Sequence, residues 1–206
     1  MEIDPGTLDA EAAYKLVTGM VVPRPIAWVT TLGLSGVVNL APFSAFTYLA
    51  PQPPMLGISI GRKGKDYKDT ARNILATEEF VVHIADQPLI GPLHQSSAEY
   101  PSDESEVDAL GLETLPSVKV GPPRLAAAPV AMECHFRQCI EFGATRTRLI
   151  VGEVVLIHLR EGLLRDGKID TKMLDPIARI AGPRYATLGE IVTMPVVYQT
   201  PKKSVD

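Results

Sequence analysis

Hydroxyl and basic side chains are concentrated between residues 24 and 70. They are Thr30, Thr31, Ser44, Thr70, Arg62, Lys65 and Lys68. Hydroxyl groups, cationic side chains and the free N–H groups of a helix N-terminus can together satisfy the oxygens of a phosphate dianion. The pattern therefore predicts a site for a phosphate-bearing aromatic ligand. The alternative is that the prolines only form turns and that the basic residues belong to an ordinary solvated loop.

The elements around these residues decide whether the groups can meet. Two apolar, β-branched stretches, 26–32 and 37–41, flank the turn Gly33–Gly36 and predict a β-hairpin. Because Pro42 has no N–H to give to a ladder, we expect the second strand to end or bulge there. That would leave the backbone of 39–44 free to face a ligand.

The basic loop lies between a strand pattern and a helix pattern. The proline-rich connection 51–54 leads into a strand predicted at 55–60, and the basic residues follow it. A helix is predicted over 71–76, and we expect Asp69 or Thr70 to cap it by accepting from its first N–H groups. The start of this helix is then a natural place for an anion.

The longest strand candidates are 130–142 and 147–159, and the Gly143-Ala144 pair between them predicts a hairpin of the kind that favours a barrel. A further strand is predicted at 80–85. Around this sheet we expect a leading helix at about 9–18 closed by Gly19, and an excursion of loops and short helices at about 86–123 in which Asp103–Glu106 is a solvated helix start. We also expect a tight turn at 163–169, a short helix within 173–180 and a frayed tail at about 200–206.

Composition favours one soluble domain spanning residues 1–206. An apolar fraction of 46%, eighteen prolines and sixteen glycines indicate a strand-rich protein with many turns. The net charge of −4 argues against a nucleic-acid-binding protein, and the chain has neither a membrane-spanning run nor a signal-like start, so we expect a cytoplasmic protein. Cys134 and Cys139 are interpreted as reduced and structural.

Metal and dinucleotide motifs are missing from the sequence. The four histidines lack the paired spacing of metal ligands, so no metal site is predicted. Two of them, His135 and His158, lie in neighbouring predicted strands, where each could either face a ligand or be a satisfied sheet histidine. Neither a Gly-x-Gly-x-x-Gly fingerprint after a strand nor a Walker A loop is present.

Three sequence blocks together resemble the flavin reductase-like family of FMN-binding split-barrel proteins, which includes the reductase components of two-component flavin monooxygenases and the flavoredoxins. The blocks are Arg24–Thr31, Asn39–Ser44 and Lys68–Ile74, and the similarity continues through Glu133-Cys134, Gly152–Val155 and Arg179–Tyr185. The resemblance implies a mainly β fold with peripheral helices, a Greek-key-like split β-barrel. It also implies a homodimer with FMN near the subunit interface.

The matching positions imply roles in FMN binding. Those that would line the isoalloxazine ring, largely through backbone groups, are Asn39, Ala41, Pro42 and Phe43. Those that would lie toward the ribityl chain and phosphate are Thr30, Thr31, Ser44, Lys68, Asp69 and Thr70, with Arg62 and Lys65 as further phosphate ligands. No catalytic side chain is assigned, because the flavin itself carries out hydride transfer.

The resemblance implies an NADH- or NADPH-dependent flavin reductase that supplies reduced flavin or electrons to a partner oxygenase. Three alternatives stay open: an FMN electron carrier resembling flavoredoxins, an FMN enzyme that acts directly on a small organic substrate, and a dimeric barrel without flavin. The nicotinamide preference and the electron acceptor are not fixed by the sequence.

Overall fold

A computed structural model describes residues 1–195 of the 206-residue chain, so the tail predicted at about 200–206 lies outside the described residues. Its centre is an antiparallel sheet of seven strands. These are β1 (Ala27–Leu32), β2 (Val38–Phe43), β3 (Phe46–Pro51), β4 (Pro54–Ile60), β5 (Glu79–Ile84), β6 (Val130–Phe142) and β7 (Thr147–Leu159). In the sheet they lie in the order β2-β1-β5-β6-β7-β4-β3.

Short elements surround this sheet. The helices are α1 (Ala10–Met20), α2 (Asp69–Thr77), α3 (Ile90–Gln95), α4 (Glu106–Ala109) and α5 (Thr171–Leu174), with 3-10 turns at Pro5–Thr7 and Gln87–Leu89. Two-residue strands pair as Arg62–Lys63 with Asp66–Tyr67, Thr114–Leu115 with Arg124–Leu125, Leu164–Arg165 with Lys168–Ile169, and Ala178–Arg179 with both Arg24–Pro25 and Tyr185–Ala186.

The long hairpin of β6 and β7 confirms the strand prediction for 130–142 and 147–159. Val130 pairs with Leu159 at its base and Phe142 pairs with Thr147 at its tip. The register shifts between Glu133 and Cys134 and again between Phe136 and Gln138, which bends the ribbon. This curvature lets the sheet wrap around a core.

That core lies inside the curved sheet. Phe80 of β5, Cys134 of β6 and Ile150 of β7 are fully buried there, together with Phe43 and Ile58 from the two ends of the sheet. The Ser59 N–H also donates to Ala45 O at 2.7 Å, so the corner between β2 and β3 lies directly against β4. The two ends of the sheet therefore approach each other and enclose a barrel.

Pro42 does not end the second strand, and that prediction is wrong. β2 continues to Phe43 in regular register, with Pro42 opposite Trp28. β2 is an edge strand, and alternate residues of an edge strand direct N–H and C=O away from the sheet. Leu40, two residues earlier, donates its N–H outward to Glu106 Oε2 at 2.8 Å, so the nitrogen of Pro42 also faces outward and breaks no ladder hydrogen bond.

The sequence interpretation missed β3 and misplaced the limits of two helices. β3 pairs Phe46 with Ile58, whereas only a connection was expected before residue 55. α1 runs through Gly19 to Met20, so Gly19 does not close it. α5 ends at Leu174, and Pro176 then bridges Asp86, so no helix continues across 173–180.

Candidate functional site

Thr30 and Thr31 lie on opposite faces of β1, because successive strand side chains alternate. Both are fully buried. Thr30 Oγ1 donates to Pro123 O at 2.6 Å, in the excursion that covers the outer face of the sheet. The structure therefore separates Thr30 from the other residues predicted to bind the ribityl chain and phosphate.

A buried cluster of amides and hydroxyls fastens α2 to the β1–β2 hairpin. Asn39 Nδ2 donates to Thr70 Oγ1 at 2.9 Å, and Asn73 Nδ2 donates to Thr31 Oγ1 at 3.1 Å. None of the four side chains is more than 8% exposed. Three of them were predicted to contact the ligand, but the contacts that the structure shows are to one another. Their observed effect is to fix the start of α2 against the sheet, and Asn73 is a member that sequence reasoning missed.

Lys68 is the N-cap residue of α2, and Asp69 is its first helical residue. The prediction that Asp69 or Thr70 caps the helix is wrong, because Asp69 pairs with Arg72 and the Thr70 hydroxyl accepts from Asn39. The Lys68 side chain makes no capping hydrogen bond to the first N–H groups of α2. Lys68 itself is exposed and forms no salt bridge within residues 1–195, and its Nζ lies 5.9 Å from the ring centroid of Phe43. The helix start thus carries an uncompensated positive charge beside the end of β2.

Ser44 lies at the end of β2 and is held by Arg24, a residue that the site prediction did not include. Arg24 Nε donates to Ser44 Oγ at 3.3 Å, and the same guanidinium donates to Val21 O at 2.8 Å and to Thr18 O. Arg24 therefore links the C-terminal end of α1 to the turn after β2. Its only sequence signal was its place in the Arg24–Thr31 block.

The edge of β2 offers carbonyl oxygens and few N–H groups. The outward N–H of Leu40 is bonded to Glu106, and Pro42 has none, while Ala41 and Phe43 direct theirs toward β1. The Phe43 side chain packs in the core, and Ala41 and Pro42 are half-buried. A ring lying along this edge would meet acceptors, so the backbone donors expected from 39–43 are already committed.

Glu106 corrects the interpretation of 103–106 as solvated. It is buried, and burial raises the pKa of its carboxyl group, although the hydrogen bond from Leu40 N–H acts in the opposite direction. In the sequence it is one more acid in an acidic run. Only the folded chain brings it to the edge of β2.

The basic loop forms a small hairpin rather than an open loop. The Arg62 guanidinium lies 4.7 Å and the Arg148 guanidinium 3.4 Å from the ring centroid of Tyr67, so the two arginines stack on one ring. Arg62 also donates to Lys65 O, while its buried Nε has no hydrogen-bond partner within residues 1–195. The Lys65 side chain is exposed. That Arg62, Lys65 and Lys68 bind a phosphate group stays a prediction from the sequence.

His83 is a fully buried sheet histidine with both ring nitrogens bonded. Leu125 N–H donates to Nε2 at 2.9 Å, so Nδ1 carries the hydrogen and donates to Trp28 O at 2.9 Å. Burial lowers the pKa of His83 from 6.5 to about 4, more than the Trp28 carbonyl raises it. The imidazole is therefore neutral at pH 7 and joins β5 to the excursion.

His83 gives the unfolding free energy a specific pH dependence. Because its pKa is lower in the folded than in the unfolded state, the unfolded state binds more protons between pH 6.5 and 4. We expect about 3 kcal/mol of stability to be lost as the pH falls through that window. Urea denaturation of wild type and His83→Gln at several pH values measures it, with the exposed His94→Gln as control. An equally steep decline in His83→Gln would contradict the assignment.

The described residues form no metal centre and no membrane-spanning helix. Residues 1–195 contain no group of three or more His, Cys, Asp or Glu side chains placed to hold a metal ion. No helix in this part of the chain combines the length and apolar character needed to span a bilayer. Cys134 is buried, Cys139 is half-buried, and both are free thiols.

Comparison with known proteins identifies the family. A family model described as flavin reductase like domain matches residues 19–175, which is most of the chain and includes every predicted site residue. The chain belongs to this flavin reductase-like family. An uncharacterised family relative from Halalkalibacterium halodurans is 40% identical over 199 residues, which cover 94% of this chain and 95% of that protein.

Two solved structures whose sequences are 36% and 32% identical to this chain show the same fold. Nitrilotriacetate monooxygenase component B from Bacillus cereus is 36% identical with a TM-score of 0.91, and the match covers 94% of this chain and 98% of that one. The Pseudomonas fluorescens 2-nitrobenzoate 2-nitroreductase NbaA is 32% identical with a TM-score of 0.87, over 98% and 99% of the two chains. The flavin reductase-like split barrel predicted from the sequence is thus confirmed.

Proposed function

We propose that the protein binds FMN and reduces it with NADH or NADPH. The observation that carries this proposal is the exposed Lys68 at the start of α2, which no acidic side chain within residues 1–195 pairs with and which lies next to Phe43 at the end of β2, in a chain of the flavin reductase-like family. A helix N-terminus with an adjacent ammonium group suits a phosphate dianion. The adjoining edge of β2 is lined by half-buried apolar residues that suit an aromatic ring.

The proposed binding roles follow from these positions. Lys68, Arg62 and Lys65 hold the phosphate together with the first N–H groups of α2. Ser44, oriented by Arg24, faces the ribityl chain, and Ala41, Pro42 and Phe43 lie along the ring. The buried cluster of Thr31, Asn39, Thr70 and Asn73 acts indirectly by fixing α2, Asp69 orients Arg72, and Thr30 secures the excursion.

The flavin, when bound, supplies the redox chemistry by accepting hydride at N5. What the chain contributes is a fixed ring, a phosphate anchor and a cleft in which a nicotinamide can approach. No described side chain needs to act as an acid or base. Component B of nitrilotriacetate monooxygenase is a relative named as part of an oxygenase system, which supports a partner oxygenase as the electron acceptor here.

Anaerobic stopped-flow mixing tests the reaction. The FMN-loaded protein is mixed with NADH or with NADPH, and the absorbance of the flavin at about 450 nm is followed. We expect rapid bleaching with at least one nucleotide. A flavin-loaded protein that neither nucleotide reduces would contradict the reductase proposal and favour an electron carrier.

A second candidate is direct reduction of a nitroaromatic acid. It is supported by the 32% identity to a protein named 2-nitrobenzoate 2-nitroreductase over nearly the full length of both chains. The two functions differ in the acceptor. Loss of 2-nitrobenzoate under anaerobic turnover with NAD(P)H would favour the nitroreductase, whereas transfer only to free flavin, oxygen or an oxygenase would favour the reductase.

We also propose that α1 forms part of a homodimer interface. α1 buries none of its residues, and one of its faces carries the exposed Tyr14 at 66% and Val17 at 53%, with Val21 at 58% exposed directly after the helix end. Side chains at this spacing lie on one side of a helix, where a second copy of the chain would cover them. Arg24 binds the end of α1, so the interface would adjoin Ser44.

Placing a charge on this face should separate the dimer. We expect wild type to be a dimer and Val17→Asp to be a monomer, since a buried unpaired carboxylate is costly. Size-exclusion chromatography with light scattering measures the mass, and Lys15→Ala, on the same helix, is the control. A wild-type monomer at micromolar concentration would refute the proposal.

A further inference from the structure

A cleft of about 140 Å³ lies on the outer face of the sheet, where the chain returns from the excursion at 86–123 to the sheet. Its floor includes Ala131 and His158, which pair across β6 and β7. Ala131 packs with Val81 and Val120, whereas its neighbour Met132 packs into the barrel core. The cleft is therefore on the opposite side of the sheet from the barrel core.

The walls of this cleft differ in polarity. The uncharged part of the lining is Ala126–Ala128. The polar part carries Arg124, His158 and Arg160. The lining thus combines cationic groups with an uncharged surface, and no carboxylate side chain from the described residues is part of it.

Two of the three polar residues already have acidic partners. Arg160 Nη1 donates to Asp86 Oδ2 at 2.7 Å, and His158 Nε2 bonds Glu133 Oε1 at 2.6 Å. Glu133 is fully buried and also accepts from Val118 N–H at 2.8 Å and Lys119 N–H at 2.5 Å. Its carboxylate is held by these donors and cannot turn to a further cation.

Arg124 is the exception. It forms no salt bridge and no side-chain hydrogen bond to any residue in 1–195, and its Nε is buried. The cleft is therefore lined by a guanidinium charge that pairs with no carboxylate in the described part of the protein, whereas the buried Nε is out of reach of a ligand.

We propose that this cleft binds a small monocarboxylate, with the carboxylate on the Arg124 guanidinium and the apolar body against Ala126–Ala128. The size fits one ring, since a cavity of roughly 150 Å³ accommodates benzene. The uncharged part of the lining disfavours inorganic phosphate, which has no apolar body to place there. The site is separate from the proposed flavin chemistry, which uses none of these residues.

Calorimetric titration of the FMN-loaded protein with benzoate tests the proposal. We expect one benzoate per chain, at least about tenfold weaker binding to Arg124→Gln, and unchanged binding to Arg137→Gln, an exposed arginine of β6. Benzyl alcohol, which lacks the charge, and inorganic phosphate, which lacks the ring, should both bind more weakly than benzoate.

A second variant tests the cleft without touching the charge. Ala126→Leu fills the apolar side, and we expect it to lose benzoate while keeping the wild-type melting temperature within a few degrees. If Arg124→Gln does not fold, Ala126→Leu decides alone. Benzoate binding that both variants retain, that FMN displaces, or that phosphate equals would overturn the proposal, as would no binding to wild type at millimolar benzoate. None of these results depends on whether nicotinamide reduces the flavin.

Discussion

Gly152→Ala is expected to destabilise the fold by about 3 kcal/mol or more. Gly152 lies in β7 and the fully buried Phe80 lies in β5, with β6 between the two strands, and the Phe80 ring reaches Gly152 on the core side of the sheet. A Cβ at position 152 would overlap Phe80 Cζ and lie 2.8 Å from its Cε1. Phe80 is packed by neighbours on all sides, so neither strand can yield without disturbing the core. Urea denaturation at constant pH measures the loss.

Two further variants separate the overlap with Phe80 from the general effect of replacing a glycine by alanine. Gly61→Ala is the matched control, since a Cβ at that position meets nothing within 4 Å. Phe80→Leu, placed in the Gly152→Ala background, should recover part of the lost stability because it removes the overlapping ring atoms. Equal stability of Gly152→Ala and wild type would contradict the close packing of β5 against β7.

Lys68→Ala is expected to weaken FMN binding by about tenfold or more, because it removes a charge-assisted contact to a dianion. Riboflavin has the same ring and ribityl chain but no phosphate. Its affinity should therefore change little. Fluorescence quenching titrations of both flavins against wild type and variant measure the difference.

The design of this experiment isolates the charge at the start of α2. Lys172→Ala, an exposed lysine on α5, is the control for a change of net charge. Arg62→Ala should resemble Lys68→Ala, with a further contribution from the lost stacking on Tyr67. Equal losses for FMN and riboflavin in Lys68→Ala would refute the phosphate assignment.

Local patterns were enough to predict the main strands. The strand patterns at 130–142 and 147–159, separated by Gly143-Ala144, indicate a hairpin because both strands and their turn lie within one stretch of sequence. Pro42 was misjudged for a physical reason. Whether a proline interrupts a strand depends on which side of that strand is paired. β2 pairs with β1 on one side, and within residues 1–195 it has no ladder partner on the other.

For the polar residues of the candidate site, the local sequence pattern says even less about which groups they contact. Thr30 and Thr31 are adjacent and alike in sequence, yet one contacts Pro123 and the other Asn73. Glu106 was grouped with solvated acids, although it satisfies the N–H of Leu40, sixty-six positions away. Such assignments depend on partners distant in the chain, which local sequence patterns do not reveal.

The most direct test of the central claim is an equilibrium titration of flavin-free protein with FMN, followed by fluorescence and by the melting temperature. We predict saturable binding of one FMN per chain, a melting temperature that rises with FMN concentration, and weaker binding of riboflavin. A folded protein that leaves FMN fluorescence unchanged and that FMN does not stabilise would contradict the account.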